Sequence, residues 1–122
     1  PSVMTIHNMA FQGHFARDHF AALGLPAAAW SITGVEYHGG IGFLKAGLEA
    51  ARMITTVSPT YAREIREPQF GMGLEGLIAA RAARVRGIVN GIDQAEWNPA
   101  SDPHIIAPFQ AASLARRRAN KR

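Results

Sequence analysis

Residues 53–59 read MITTVSP, and this stretch decides the fold of the chain. Its first five residues are apolar or β-branched, which favours a strand. Ser58 and Pro59 follow directly, and they are a helix-capping residue and a proline suited to the first helical position. We therefore expect a strand over residues 53–57 that passes at once into a helix ending near Ile65.

Two similar apolar stretches lie on either side of this unit, at residues 2–6 (SVMTI) and 85–89 (VRGIV). Each predicts a further strand. Helices are predicted in between, one rich in Ala and Leu over residues 74–83 and an amphipathic one over residues 43–51. Because strands alternate with helices, the sequence predicts an α/β fold with a Rossmann-like parallel sheet and helical crossovers.

The other segments carry weaker signals. In the amphipathic helix, Lys45, Glu49 and Arg52 fall off the apolar stripe. A short helix is expected over residues 18–22, capped by Asp18 and ended by Gly24. Residues 27–42 are expected to form an irregular Gly-rich stretch, and residues 68–73 a loop. Beyond Trp97, prolines predict an extended connection, and a final helix is expected over residues 111–122.

Composition excludes several classes of function. The chain has 122 residues and no cysteine, which suits one domain without disulfides or thiolate zinc sites. No apolar run approaches the roughly 18 residues of a membrane helix, and the first residues do not form a signal peptide. Five of the last seven residues are basic, and they account for the net charge of +4. The basic character therefore belongs to the tail, and we expect no nucleic-acid partner.

Three motifs suggest chemistry that their surroundings do not favour. The stretch GMGLEG at residues 71–76 matches a dinucleotide fingerprint, but no apolar strand precedes it. The five histidines show no zinc-ligand spacing, so no metal site is expected. Ser58 lies in no nucleophile elbow and is interpreted as a helix cap.

Polar residues follow two of the predicted strands. His7 and Asn8 come directly after residues 2–6, and Asn90 and Gly91 after residues 85–89. In parallel sheets, ligands bind beyond the carboxyl ends of the strands. His7 could instead satisfy a loop backbone, and Asn90-Gly91 could form a simple turn. The residues alone thus indicate a polar site at the strand ends, with its chemistry open.

Six segments in order resemble bacterial glycogen synthases and plant starch synthases. They are residues 5–13 (TIHNMAFQG), 42–48 (GFLKAGL), 54–62 (ITTVSPTYA), 70–76 (FGMGLEG), 87–93 (GIVNGID) and 97–99 (WNP). The resemblance implies a GT-B glycosyltransferase with two Rossmann-like domains. Residues 1–108 would be part of the N-terminal domain, and residues 109–122 a basic helical segment at a truncation point. The N-terminal half of that domain and the whole C-terminal domain would be missing.

The resemblance also implies the reaction. Such enzymes transfer glucose from ADP-glucose to the non-reducing end of an α-1,4-glucan, with retention, without a metal or other cofactor, and in the bacterial cytoplasm. His7 would be catalytic, while Asn8, Asn90 and Gly91 would bind the substrate. The chain departs from the family pattern at Phe11, where a tyrosine is common, and in the glycines at 39, 40 and 42.

Two alternatives remain open on the sequence. One is another GT-B enzyme related to sucrose synthase or to the phosphorylases. The other is a non-catalytic carbohydrate-binding module that uses the aromatic side chains of Trp30, Tyr37 and Trp97.

Overall fold

The computed structural model describes residues 1–121, which divide into a first unit, Pro1–Asn90, and a second unit that begins at Gly91. The strands, all in the first unit, are β1 (Val3–Ile6), β2 (His14–Phe15), β3 (Glu36–Tyr37), β4 (Gly40–Gly42), β5 (Met53–Thr56) and β6 (Val85–Gly87). The α-helices are α1 (Phe43–Ala50), α2 (Pro59–Glu64), α3 (Pro68–Gly71) and α4 (Glu75–Ala80). The 3-10 helices are Arg17–Leu23, Ala27–Ala29, Ala82–Arg84 and Ala111–Asn120.

The predicted parallel sheet is confirmed. Its order is β1-β5-β6, and both pairings are parallel. Val3 is in register with Met53, and Ile54 with Val85. The third strand ends at Gly87, whereas the sequence predicted that it would continue to Val89.

One face of this sheet carries the core. Ile6, Ile54 and Val85 are buried there, and they pack with the helices in one cluster whose helical members include Leu44, Leu48, Ala62 and Ile78. Side chains alternate between the faces of a sheet. The opposite face therefore bears Val3, which is 63% exposed, and the pair Thr5 and Thr55, whose hydroxyls are hydrogen-bonded at 2.9 Å.

The turn from β5 into α2 forms as predicted. Ser58 Oγ accepts a hydrogen bond of 2.9 Å from the backbone N–H of Tyr61, and Pro59 is the first helical residue. The helix ends at Glu64, with Ile65 as its C-cap. The predicted amphipathic helix is also confirmed as α1, but Lys45 is buried rather than exposed beside the apolar stripe.

Several local predictions were wrong. The segment expected to be a loop begins with α3, because Pro68 suits a first helical position and Met72 ends the helix in the left-handed conformation. Residues 17–23 form a 3-10 helix whose N-cap is Ala16, so Asp18 does not cap it, although Gly24 ends it as expected. The helix predicted at 74–83 is split into α4 and the 3-10 helix Ala82–Arg84.

Three further segments differ from expectation. The Gly-rich stretch supplies β3 and β4, which form an antiparallel sheet of order β2-β4-β3. Beyond Trp97 the chain forms turns rather than an extended connection, such as the turn closed by the bond from Ser101 N–H to Asn98 O (3.0 Å). The predicted final helix is a 3-10 helix, and Arg122 lies outside the described residues. In residues 1–121, no helix combines the length and apolar character needed to cross a membrane.

Candidate functional site

The carboxyl ends of β1, β5 and β6 meet at one edge of the parallel sheet. His7 and Asn8 follow β1 directly, and Asn90 lies three residues beyond the end of β6. Because β5 separates these two strands, their ends are two strand spacings apart, which is about 10 Å. The fold thus brings His7, Asn8 and the segment leading to Asn90 to the same edge.

His7 and Asn8 are exposed but are held between two buried anchors. Ile6 and Met9 on either side are only 1% and 0% exposed. The Met9 backbone N–H donates a 3.0 Å hydrogen bond to the Tyr61 hydroxyl, which ties this loop to α2. A loop fixed at both ends presents its polar side chains in a defined position.

Asn8 uses one of its side-chain atoms within its own turn. Its Oδ1 accepts a 2.9 Å hydrogen bond from the backbone N–H of Ala10. That bond orients the amide and leaves both donors of the Nδ2 group for a ligand, since a side-chain amide has two donors. Asn8 is therefore suited to donate to a ligand oxygen.

A shallow cavity of about 200 Å³ lies at this loop, and His7, Asn8 and Phe11 belong to its lining. Phe11 is 81% exposed, so its ring forms an open apolar wall. Pockets for small ligands usually measure about 300–1,000 Å³. The cavity is therefore smaller than a typical pocket for a small ligand.

Asn90 and Gly91 occupy the boundary between the two units. Asn90 is the last residue of the first unit, and Gly91 begins the second. Both are exposed, and a side chain added at Gly91 would meet no atom within 4 Å. Asn90 therefore lies in the segment that continues from β6, and Gly91 begins the second unit.

The turn after Gly91 is ordered by Asp93. Its Oδ1 accepts backbone hydrogen bonds from Ala95 (2.8 Å) and Glu96 (3.1 Å). These bonds, first that from Glu96 and then that from Ala95, hold the pKa of the Asp93 carboxyl below its ordinary value of 3.8. Asp93 thus accepts from its own turn in its charged form.

The fingerprint-like glycines have a local role. Gly71 ends α3, Gly73 lies in the connection between α3 and α4, and Gly76 lies in α4, so none of the three follows a strand. Gly73 has a φ of +87°, and its N–H donates to Glu75 Oε2 at 2.9 Å. Its amide is therefore already used, which argues against a dinucleotide phosphate there. Among residues 1–121, no cluster of three or more His, Asp or Glu side chains could hold a metal ion.

Sequence reasoning missed the anchor that Tyr61 provides. Its ring lies 52 positions from Met9, and no local pattern in the sequence links the two. It also missed that Trp30 is half-buried, packing edge-on against Phe20 at 5.2 Å, with the Arg17 guanidinium over its ring. Trp30 is therefore not an open platform for a ligand.

Comparison with known proteins points to one family. Residues 1–80 match the family model described as the starch synthase catalytic domain. The chain is 71% identical over 122 residues to a glycogen synthase of Novosphingobium aromaticivorans, covering all of this chain and 25% of that protein. It is 54% identical over 120 residues to a glycogen synthase of Nitrosomonas europaea, covering 98% of this chain and 24% of that protein.

A solved structure gives the same answer. The catalytic domain of starch synthase IV from Arabidopsis thaliana, bound to ADP and acarbose, matches with a TM-score of 0.76 and 31% identity. The match covers 93% of this chain and 24% of that one. The chain thus spans about a quarter of the length of the proteins that it matches.

Proposed function

Because the chain belongs to the starch synthase catalytic domain family, we propose that it is part of a retaining glucosyltransferase. The longer enzyme transfers glucose from ADP-glucose to the non-reducing end of an α-1,4-glucan, as in glycogen synthesis. The observation that carries this proposal is the position of His7 and Asn8 at the carboxyl edge of the parallel sheet. That edge is where open α/β sheets bind their ligands.

His7 is the proposed catalytic residue. It contacts the transferred glucosyl unit, and its backbone carbonyl lies near the reacting carbon. This role is supported by its exposure between the buried anchors Ile6 and Met9. As the glucosyl–phosphate bond breaks, positive charge develops on the sugar, and fixed dipoles aimed at that charge stabilise the transition state.

Asn8, Asn90 and Gly91 are the proposed substrate-binding residues. Asn8 presents its free amide donors beside His7. Asn90 binds the donor sugar from the far side of the same sheet edge, and Gly91 follows it directly in the chain. The remaining nucleotide contacts come from parts of the enzyme outside this quarter.

The identity of the donor and acceptor follows from the relatives. The Arabidopsis domain is described as bound to ADP and acarbose, which supports a nucleotide-sugar donor and a glucan acceptor here. Neither a metal nor another cofactor is part of the proposal. The relatives reported above include bacterial glycogen synthases, which supports the cytoplasm of a bacterium as the location.

The family match favours this function over the two alternatives. A sucrose synthase or a phosphorylase shares the GT-B architecture, but the matching model is that of the starch synthase catalytic domain. A separate carbohydrate-binding module that uses Trp30 is disfavoured, because that ring is half-buried against Phe20.

Glucose transfer tests this proposal directly. We expect the full-length parent enzyme to incorporate radiolabelled glucose from ADP-glucose into glycogen, and the 122-residue chain alone to incorporate none. The chain supplies only one side of the cleft, and a transferase needs a closed site that excludes water. The same assay with UDP-glucose in place of ADP-glucose shows which of the two donors the parent enzyme uses. Label incorporated by the chain alone, or none incorporated by the parent from either donor, would contradict the proposal.

A further inference from the structure

The loop that follows His7 has one polar link to the helices. Within the described part of the chain, the hydrogen bond from Met9 N–H to the Tyr61 hydroxyl, at 3.0 Å, is the only one that joins residues 8–11 to another element. The other hydrogen bonds of these four residues run to the carbonyl and side-chain oxygens of Asn8 and stay inside the loop. One phenolic oxygen therefore fixes the loop relative to α2.

Tyr61 is itself held from two directions. Its backbone N–H donates to Ser58 Oγ at 2.9 Å, as part of the cap at which α2 begins. Its ring is half-buried and packs against the hydrophobic core. A side chain whose backbone and ring are both constrained keeps its hydroxyl in one place. The position of that hydroxyl is therefore set by the β5–α2 turn and by the core.

Met9 makes the bond hard to replace. It is 0% exposed, and its N–H has no other partner among the residues that the structure describes. A buried donor that loses its acceptor keeps its desolvation penalty, so the backbone shifts until the N–H reaches a new acceptor. His7 lies two positions before Met9, with only Asn8 in between. A shift at Met9 therefore moves His7 as well.

Tyr61 contacts this loop from its buried side. The shallow cavity beside His7 is lined by residues of β1, the loop and α1, and Tyr61 does not belong to that lining. The Tyr61 hydroxyl contacts the buried residue Met9, whereas the side chain of His7 is exposed. Tyr61 can thus determine where His7 lies without contacting a ligand in that cavity.

From this arrangement we propose that Tyr61 is a positioning residue for glucosyl transfer, which places His7 through the hydrogen bond to Met9. The proposal rests on the proposed function, because that function makes His7 the catalytic residue. Misplacement of a reacting group by about 1 Å can lower a rate by about 10²-fold. The Tyr61 hydroxyl therefore affects the rate of transfer more than it affects binding of the donor.

The test is Tyr61→Phe in the full-length parent enzyme, because this change removes the hydroxyl and keeps the ring that packs against the core. We expect kcat for transfer from ADP-glucose to fall about tenfold. KM for the donor should stay within about twofold of the wild-type value, as expected when the lost interaction acts mainly in the transition state. A folded Tyr61→Phe enzyme whose kcat lies within about twofold of wild type would overturn the proposal.

Ile65→Val separates positioning from stability. Ile65 is fully buried at the C-cap of the same helix, so the change removes one methyl group from the core. Such a change and the loss of one neutral hydrogen bond typically cost similar free energies of unfolding, so both variants should show similar melting temperatures. We expect Ile65→Val to keep the wild-type kcat. If it loses as much kcat as Tyr61→Phe, the effect of Tyr61 is a general loss of stability, and the proposal is wrong.

A double-mutant cycle shows whether Tyr61 acts through His7. His7→Ala removes the side chain that Tyr61 places, so adding Tyr61→Phe to it should lower kcat much less than Tyr61→Phe does alone. Two losses that multiply would instead mean that Tyr61 acts by another route, which contradicts the proposal.

Hydrogen exchange reports on the bond itself. In the same preparations, the peptide that contains Met9 should exchange faster in Tyr61→Phe than in the wild type, while peptides of β5 should exchange at the same rate. Unchanged exchange of the Met9 peptide would show that the bond does not hold the loop, and the positioning role would be lost.

The activity of the wild-type parent keeps this proposal apart from the proposed function. If the parent transfers glucose and Tyr61→Phe does so at the same rate, only the positioning role of Tyr61 is refuted. A parent that transfers glucose from neither donor contradicts the proposed function itself.

Discussion

Gly87 sets how closely the end of β6 approaches the start of α2. A Cβ at this position would overlap the backbone of Ser58 and Pro59. Only a glycine at the last position of β6 therefore lets this strand lie against the turn between β5 and α2. This contact fixes the edge of the sheet from which the chain continues to Asn90.

Gly87→Ala should lower the free energy of unfolding by about 2 kcal/mol or more, since overpacking against backbone cannot be relieved by a rotamer change. Gly76→Ala is the matched control, because a Cβ there meets no atom within 4 Å and the residue lies inside α4. It should stabilise the chain by about 0.5–1 kcal/mol. Urea unfolding measures both, and equal effects of the two substitutions would refute this role of Gly87.

At the residue scale, the sequence predicted positions better than contacts. His7 and Asn8 were correctly placed beyond a strand, because an apolar run that stops at polar residues is a local signal. The burial of Lys45 was not predictable, since it depends on carbonyls of residues 32 and 34 in a loop without a recognisable pattern. The Tyr61–Met9 hydrogen bond depends on a fold that first brings the two residues together.

At the element scale, the two sheets differed in how much the sequence revealed. The parallel sheet was predicted because each of its strands stands out as an apolar run between helices. The antiparallel sheet was missed because its strands have only two or three residues and two of the three residues of β4 are glycines. Its strands pair residues that lie far apart in the chain, such as His14 and Gly42. Such pairing produces no alternation of apolar and polar residues that the sequence could reveal.

The turn between β5 and α2 gives a prediction at this scale. Ser58→Ala removes the cap that accepts from the Tyr61 N–H, and it should cost about 0.5–2 kcal/mol of stability. Thr60→Ala, at an exposed position of the same helix, is the control and should cost much less. Thermal unfolding of both variants checks this. If Thr60→Ala costs as much as Ser58→Ala, the cap is not what stabilises the turn.

At the scale of the whole molecule, the parallel sheet has one uncovered face in the first unit. Val3 is 63% exposed there, beside the pair Thr5 and Thr55. Parallel sheets are normally covered by helices on both faces. β1 and β6 also form unpaired edges of the described sheet, and such edges favour association with other chains.

We therefore expect the 122-residue chain to self-associate as its concentration rises. Val3→Lys places a charge on the uncovered face and should shift the chain toward the monomer. Leu25→Lys, which changes a partly exposed apolar residue outside both sheets, should leave association unchanged. Sedimentation velocity over a range of concentrations measures this. A monomer at all concentrations, with a sharp cooperative melt, would contradict the expectation.

The central claim is that the carboxyl edge of the parallel sheet holds the donor sugar of a glucosyltransferase. The most direct test replaces His7 by Ala in the full-length parent enzyme, with Asn90→Ala alongside and His19→Ala as control, and measures kcat and melting temperature on the same preparations. We predict that kcat falls by about 10²–10³ for His7→Ala and Asn90→Ala, as for the loss of one transition-state contact. KM for the donor should change little, and the melting temperature should stay unchanged. A fully folded His7→Ala enzyme with near-normal kcat would contradict the account.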